Sequence, residues 1–490
     1  MKNCLPGTLV LLCLIGASPD ASAANLRDQA VTYSDFSFVN YVATSLSYAY
    51  FASTGGITRY DKLHGTWADP LTSLEGVDWS DIHRIWVDHF DHSLYAETPD
   101  GLFEYDSLLG RWFTASELPD LINRGAHVSV PKVMFPPFRY NYSNDGRLID
   151  AYGRHFTITD VVDDGSGQLW FGTWGHGAGT AGSSSKVIEL LPFGLLQDRV
   201  DAITMLDGRL WVSGALDFSQ RSGISVFDKN ENTFRHIESG LDPDFPAVDV
   251  NCLFGNSEMV YIGTPVGLLV LDQQLDRVIR RFDERTGLPD DNVLSITEMG
   301  RFLYVGTANG LCLMTPDGDS ISVVRPEQLT GRIIYDLEQD SSSIWIATDL
   351  GAYRMHLSSG RLQRFKDPWL YAAQNVYDVE RCGHNLWLAC EDAVLRVSTN
   401  TGDIDPIPLR SSHGQIRVLT ANDTIVAMGA DDGLTIVYHN DPRFNTRRFT
   451  TDDGLPSNLV LSLLMDGNYI WVGTEKGLTR FWWNHPRRID

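Results

Sequence analysis

Residues 282–314, "FDERTGLPDDNVLSITEMGRFLYVGTANGLCLM", and residues 449–481, "FTTDDGLPSNLVLSLLMDGNYIWVGTEKGLTRF", align without a gap at an offset of 167 residues. A chain that repeats itself at this scale is assembled from like units, not from one irregular core. The element common to both segments is an aromatic or apolar residue, a small-residue turn and a second short strand. Ten copies run along the chain, from "YFASTGGITRYD" at Tyr50 to "WVGTEKGLTRF" at Trp471. Their spacing is 39–50 residues except for one interval of 75, so the unit is close to 42 and the offset of 167 is four units.

Inside a unit the apolar residues alternate with period two, as in Ile470, Val472 and Thr474 against Trp471 and Gly473, and no segment carries a sustained helical stripe. The last unit reads as strands "LVLSLL", "YIWVGT" and "GLTRF", with a fourth of the "RRFTT" type before the next GLP turn. A four-stranded unit of this size cannot cover both of its faces alone, whereas units stacked radially about an axis cover one another. The predicted fold is therefore all-β, a β-propeller of four-stranded blades. The final unit stops after three strands, and "AVTYSDFSF" near the N-terminus supplies a spare strand that would close the ring. Ten units exceed the usual limit of about eight blades, so residues 24–490 are read as one large ring or two smaller ones. The long interval contains "RYNYSNDGRLIDAYGRHF", which reads as a hairpin and as a candidate eleventh, degenerate unit.

Charge narrows the partners. Lys and Arg number 39 against 63 Asp and Glu, a formal net charge of −24, which repels phosphate backbones and anionic lipid surfaces. Nucleic acid is not expected as a partner. Residues 1–23 combine Lys2, an apolar run and the triplet Ala21-Ser22-Ala23, the pattern of a secretory signal cleaved after Ala23. No later stretch is long and apolar enough to span a bilayer as a helix, so the expectation is a periplasmic or secreted chain without membrane insertion. Cys252, Cys312, Cys382 and Cys390 lack the close pairs of a zinc site. They read mostly as buried thiols, with a disulfide left open.

The "DDGLPSN" turn followed by "IWVGTEKGLTRF", and its copy "TGLPDDN" with "LYVGTANGL", resemble the repeats of the two-component regulator propeller family. The resemblance covers most of residues 31–481 and is strongest from Cys252 onward. It implies a periplasmic ligand-sensing propeller of the kind that precedes the kinase in membrane-spanning hybrid histidine kinases. This sequence shows no membrane helix, immunoglobulin-like segment or kinase, so the resemblance implies a sensor that passes its state to a separate membrane sensor or envelope protein.

Insertions relative to the repeat mark the candidate site, because the repeat defines the length each loop needs. Excess length falls in the link from about Thr114 to His155, in the third unit's turn "TWGHGAGTAGSSSK" and in the fourth unit's "GALDFSQRSG". Propeller topology puts the turn between strands two and three and the link to the next blade on one face, so all three are expected around one mouth of the channel. Long loops on one rim of a rigid scaffold favour binding. Tyr140, Tyr142, Tyr152, Trp174 and Phe218 offer apolar ring faces, and Arg154, His155, His176, Asp217, Gln220 and Arg221 offer directional hydrogen bonds. That mixture suits an oligosaccharide or another polar, ring-containing ligand.

Catalysis has less support. Paired acids such as Asp163-Asp164, Asp290-Asp291 and Asp452-Asp453 recur at equivalent turns, which points to structural use. No GxSxG elbow, HExxH helix, P-loop or EF-hand loop is present, so no cofactor or metal is expected; a calcium site at Asp163-Asp164-Gly165-Ser166 rests only on nonspecific spacing. The alternatives to a binding propeller are an envelope assembly scaffold and a propeller lyase or hydrolase with His176 or His155 as base.

Overall fold

The computed structural model describes residues 30–484 less 73–81, 89–92, 108–109, 120–125, 217–220, 242, 316–320, 325–327, 366–374, 392, 408–413 and 442–443. The proposed signal, residues 1–23, and the site residues Asp217, Phe218 and Gln220 lie outside these.

Among the described residues, ten antiparallel sheets account for the ten repeats, nine of them four-stranded. We number them as blades in chain order: blade 1 (residues 39–71), 2 (84–115), 3 (126–191), 4 (202–238), 5 (252–282), 6 (293–324), 7 (334–364), 8 (376–406), 9 (416–449) and 10 (460–482). Strand Ala30–Tyr33 completes blade 10 by pairing with Gly477–Trp482, Ala30 opposite Phe481 and Tyr33 opposite Leu478. The N-terminal strand closes the last repeat as its incomplete sequence requires.

Packing order follows from the first strand of each blade. Those of blades 4 to 10 lie side by side in chain order, and Val460–Asp466 of blade 10 packs back on Ala202–Leu206 of blade 4. Seven blades thus form a cycle. In the other three, the first strand of blade 1 packs between blade 3 and the first strand of blade 2, giving the spatial order 3, 1, 2. An aromatic cluster joins the two groups: Tyr33 and Phe193 meet Phe234 of blade 4 at 5.7 and 5.3 Å between ring centroids, and Phe193 stacks on Trp67 of blade 1 at 4.7 Å.

Repeated residues do repeated work. In the GT-x-x-G turn the threonine hydroxyl donates to the glycine carbonyl, at 2.7 Å for Thr264 and Gly267 and 2.9 Å for Thr307 and Gly310. Gly267 has φ +127° and a Cβ there would lie 2.3 Å from the Phe282 carbonyl, so both conformation and space demand glycine. In the GLP link Asp283 caps a short 3-10 turn that Gly287 ends at φ 118°, and Leu288 is buried below it. The glycine before the threonine has another task. A Cβ on Gly306 would meet Ile334 of blade 7 at 2.6 Å, and one on Gly473 would meet Val200, just ahead of blade 4, also at 2.6 Å. This glycine sets the approach of adjacent blades, including the contact that closes the cycle of seven.

Inner strands are also stapled across blades. Asp160, Asp336 and Asp378 occupy the same position after a β-bulge, where their carboxylates accept the backbone N–H of Val42, Val379 and Leu419 on the adjoining blade at 2.9, 3.1 and 2.6 Å. Acids at the hairpin turns are likewise occupied. Asp164, of the pair Asp163-Asp164, accepts from Trp170 Nε1 and Lys62, and the single acids Asp340 and Asp466 accept from the indoles of Trp345 and Trp471. Cys252, Cys312, Cys382 and Cys390 are free thiols; the bulge in blade 8 puts Cys390 opposite Val376 and leaves Cys382 opposite Asn385.

Two sequence expectations change in blade 3. The segment around Tyr140 does form a hairpin, Tyr140–Ser143 with Arg147–Asp150, but it pairs with the long first strand His155–Asp163 and enlarges blade 3 to seven strands. A nine-residue inner strand extends past its own blade and offers the hairpin an edge. The glycine-rich "GAGTAG" is no loop either: Gly177–Gly182 is a mostly buried strand reached by the two-residue turn Gly175-His176. Its small residues serve packing, since a Cβ on Gly179 would lie 2.3 Å from the Phe171 ring.

Candidate functional site

The added hairpin of blade 3 leans on the outer strand of blade 4, Thr233–Glu238. Between them lies a cleft of about 540 Å³ lined by Phe138, Tyr140, Tyr152 and Arg154 on one side and His236 and Glu238 on the other, with Leu275 to Arg277 of blade 5 at its end. The cleft therefore runs along the outside of the seven-blade cycle, where fourth strands are exposed, and not at the channel mouth. Blade 3 reaches it because the insertion lengthens the inner strand before the blade proper begins.

Ion pairs fix the two walls together. Arg154 bridges Asp150 and Glu238, at 2.7 Å to each, and Arg221 binds the other oxygen of Glu238 at 2.7 Å. Burial alone would raise the Glu238 carboxyl, but Arg221 and then Arg154 hold it down to about 2. Asp150 also caps its own turn, accepting from the amides of Tyr152 and Arg154. The carboxylates on these walls are thus committed to arginines, while the hydroxyl-bearing Tyr152 ring is 55 % exposed.

His176 sits behind the cleft. Its Nε2 is 2.7 Å from the Tyr140 hydroxyl, and the Phe156 ring meets it edge on at 5.0 Å. Nδ1 is buried and has no hydrogen-bond partner among the described residues. Burial and then the charge of Arg221 pull the imidazole down to about 3, and the same causes bring His236 to about 4. Both rings are neutral at physiological pH. A general base works best with a pKa near the operating pH, so His176 is placed to hold a wall and not to take a proton.

Five of the sequence-selected residues thus meet: Tyr140, Tyr152 and Arg154 line the cleft, and His176 and Arg221 stand directly behind it. Three do not. Tyr142 donates to the Pro131 carbonyl on the far side of the hairpin, His155 is exposed opposite Ile149, and Trp174 packs edge on against Phe38 at 5.1 Å. Sequence reasoning missed Glu238 and His236. Their signal was present: Phe234, His236 and Glu238 share one face of an outer strand, where ionisable groups at period two call for partners.

No family model matches the chain, and no curated protein matches it. Solved structures do. The extracellular domain of the putative hybrid two-component system BT4673 from B. thetaiotaomicron superposes with a TM-score of 0.49 at 14 % identity, covering 92 % of this chain and 70 % of that one. PorZ, a bacterial surface component of the type-IX secretion system of Porphyromonas gingivalis, gives a TM-score of 0.50 at 12 % identity over 91 % of this chain and 68 % of its own. The RRP9 WD40 repeats match 58 % of this chain with a TM-score of 0.45 at 11 % identity. At such identities the likeness concerns the propeller fold alone.

Proposed function

We propose that this chain is an exported, non-catalytic β-propeller that binds a polar, ring-containing ligand of the oligosaccharide type in the cleft between blades 3 and 4. The observation that carries the reading is the ion-paired junction of Arg154, Glu238 and Arg221, which holds an exposed tyrosine ring and hydrogen-bonding groups around about 540 Å³ of open space. Sugars need ring faces to stack on and directional polar groups for their hydroxyls. The depressed His176 speaks against a lyase that would use it as base.

A second reading is supported by the apolar residues at the same cleft. Phe138 is 90 % and Leu275 65 % exposed, and exposed aromatic groups beside arginines suit the docking of a partner protein, such as a separate membrane sensor or an envelope component. A thermal-shift screen of residues 24–490 against oligosaccharides, with mass spectrometry of the same wells, separates the readings. Binding predicts a shift with an intact ligand, lost in Tyr152→Ala without a change in fold. A converted ligand would establish an enzyme, and no shift with any saccharide would leave the partner reading.

A further inference from the structure

Behind the cleft between blades 3 and 4 lies a small cavity of about 10 Å³, room for a single water molecule. Polar groups from three parts of the fold line it. Asp35 and Ser37 come from the segment after the N-terminal strand, His176 from the turn of blade 3, and Arg221 and His236 from blade 4. The segment is locked over the turn, because the Ser37 carbonyl accepts the amides of Gly175 and Gly177 at 2.9 and 2.8 Å, one on each side of His176. The Ser37 amide in turn donates to Asp35 Oδ1 at 2.9 Å, and the Asp35 amide donates to Asp198 at 2.7 Å.

What each wall group has left to bond differs. Arg221 commits Nε and one terminal nitrogen to Glu238. His236 Nε2 is 2.9 Å from the Gly194 carbonyl; a carbonyl only accepts, so this ring carries its hydrogen on Nε2. His176 is under no such constraint. Its Nε2 faces the Tyr140 hydroxyl, which both donates and accepts, and its Nδ1 is buried with no hydrogen-bond partner among the described residues. His176 is 7 % and Asp35 6 % exposed, and a water in the cavity they share joins the imidazole to the carboxyl. Tyr140 lines the cleft on the other side, so a continuous line of hydrogen bonds runs from Asp35 to the ligand space.

We infer that Asp35 is a specificity-determining residue of the cleft: through one water and the His176 ring it decides whether the Tyr140 hydroxyl offers a ligand its hydrogen or its lone pair. With Asp35 protonated, its O–H donates to the water, the water donates to Nδ1, Nε2–H donates to the Tyr140 oxygen, and the Tyr140 hydrogen points into the cleft. Loss of one proton shifts every hydrogen one bond toward the cleft. That of Asp35 goes to the water, that of the water to Nδ1, that of Nε2 to the Tyr140 oxygen, and that of Tyr140 leaves to solvent. The ring stays neutral in both forms, in keeping with its burial. Burial raises the Asp35 carboxyl to about 7, with Ser37 and Arg221 opposing and Asp198 adding to the rise, so the change falls near neutral pH. The effect on ligand choice rests on the cleft being the binding site; the relay does not.

The test is nuclear magnetic resonance of residues 24–490 carrying isotope-labelled histidine, with the His176 ring nitrogens assigned from their loss in His176→Gln. The hydrogen should sit on Nε2 in acid and on Nδ1 in base, with one midpoint near pH 7. Asp35→Asn cannot ionise, and its ring should keep one tautomer across the same range. A parent ring whose tautomer does not change between about pH 5 and 9, or one that changes with the same midpoint in Asp35→Asn, would overturn the inference. If that variant does not fold, the parent decides alone, because the Asp35 carboxyl carbon must titrate at the midpoint of the His176 ring; separate midpoints overturn the coupling. No ligand is needed, so an uncoupled ring strikes this inference and leaves the cleft reading intact, whereas a saccharide screen without a hit strikes the cleft reading and leaves the relay.

Discussion

A single glycine controls how closely two blades meet. Gly306 precedes the threonine of its turn, and its side-chain direction is filled by Ser295 and by Ile334 of the next blade. In Gly306→Ala the new methyl would lie 2.3 Å from Ser295 Oγ and 2.6 Å from Ile334 Cγ2. Relief requires moving one blade against its neighbour, and overpacking of this kind costs about 1–3 kcal/mol. Gly300, in a hairpin turn at φ +66°, has nothing within 4 Å of such a methyl, so Gly300→Ala meets only backbone strain of about 1 kcal/mol. Urea denaturation should therefore show the larger loss in Gly306→Ala. An equal or smaller loss there would mean that blade spacing is not set by this residue.

At the scale of the strand, the bulged aspartates convert a local irregularity into an inter-blade tie. Asp160 accepts the Val42 amide with one oxygen while the other lies 2.9 Å from His127 Nδ1 and also takes its neighbour's amide. Asp160→Ala should leave blade 3 folded but free the first strand of blade 1. Faster hydrogen exchange at Val42, with unchanged exchange in blades 5 to 9, is the expected result; uniform acceleration would show a global effect instead. These ties were hidden in the sequence, because an aspartate in an inner strand violates period two and looks like noise until the bulge is known. The strands themselves were legible, since "YVGT" or "WVGT" with a glycine three residues after the threonine specifies a hairpin by turn chemistry and alternation. The cleft was half legible. Insertion length pointed to the segment bearing Tyr140, Tyr152 and Arg154, yet its partner surface, His236 and Glu238, belongs to a strand of ordinary length. Which outer strand the hairpin would cover depends on the order 3, 1, 2 of the smaller blade group, and chain order does not reveal that.

Over the whole molecule, the buried titratable groups fall into two opposed sets. Burial pushes Asp35 to about 7, Glu380 to about 7 and Glu338, further raised by Glu380, to about 8. Asp336 and Asp378, hydrogen-bonded to each other on adjoining inner strands, are raised by burial as well. Each of these carboxyls keeps its proton in the fold at pH values where the unfolded chain, near 3.8 for Asp and 4.5 for Glu, has released it. Folding then takes up protons, so this set lowers stability progressively as pH rises from about 4.5 to 8. His176 and His236, at about 3 and 4 against 6.5 unfolded, act the other way and destabilise as pH falls below 6.5; Glu238 at about 2 does so below about 4.5. Between pH 4.5 and 6.5 the three carboxyls raised to about 7 or 8 already outnumber the two histidines, Asp336 and Asp378 act in the same direction, and the carboxyls prevail. The urea midpoint should rise as pH is lowered from 8, reach a maximum near pH 5 and fall below pH 4. Glu380 isolates the cause, since a glutamine can still accept the Ala421 amide that its Oε1 holds at 3.2 Å. Glu380→Gln should stabilise by roughly 3 kcal/mol at pH 8, a shift from 4.5 to about 7 at about 1.4 kcal/mol per unit, and by less than about 1 kcal/mol near pH 5. Stabilisation of the same size at both pH values would mean that packing, and not the buried charge, limits this part of the inner wall.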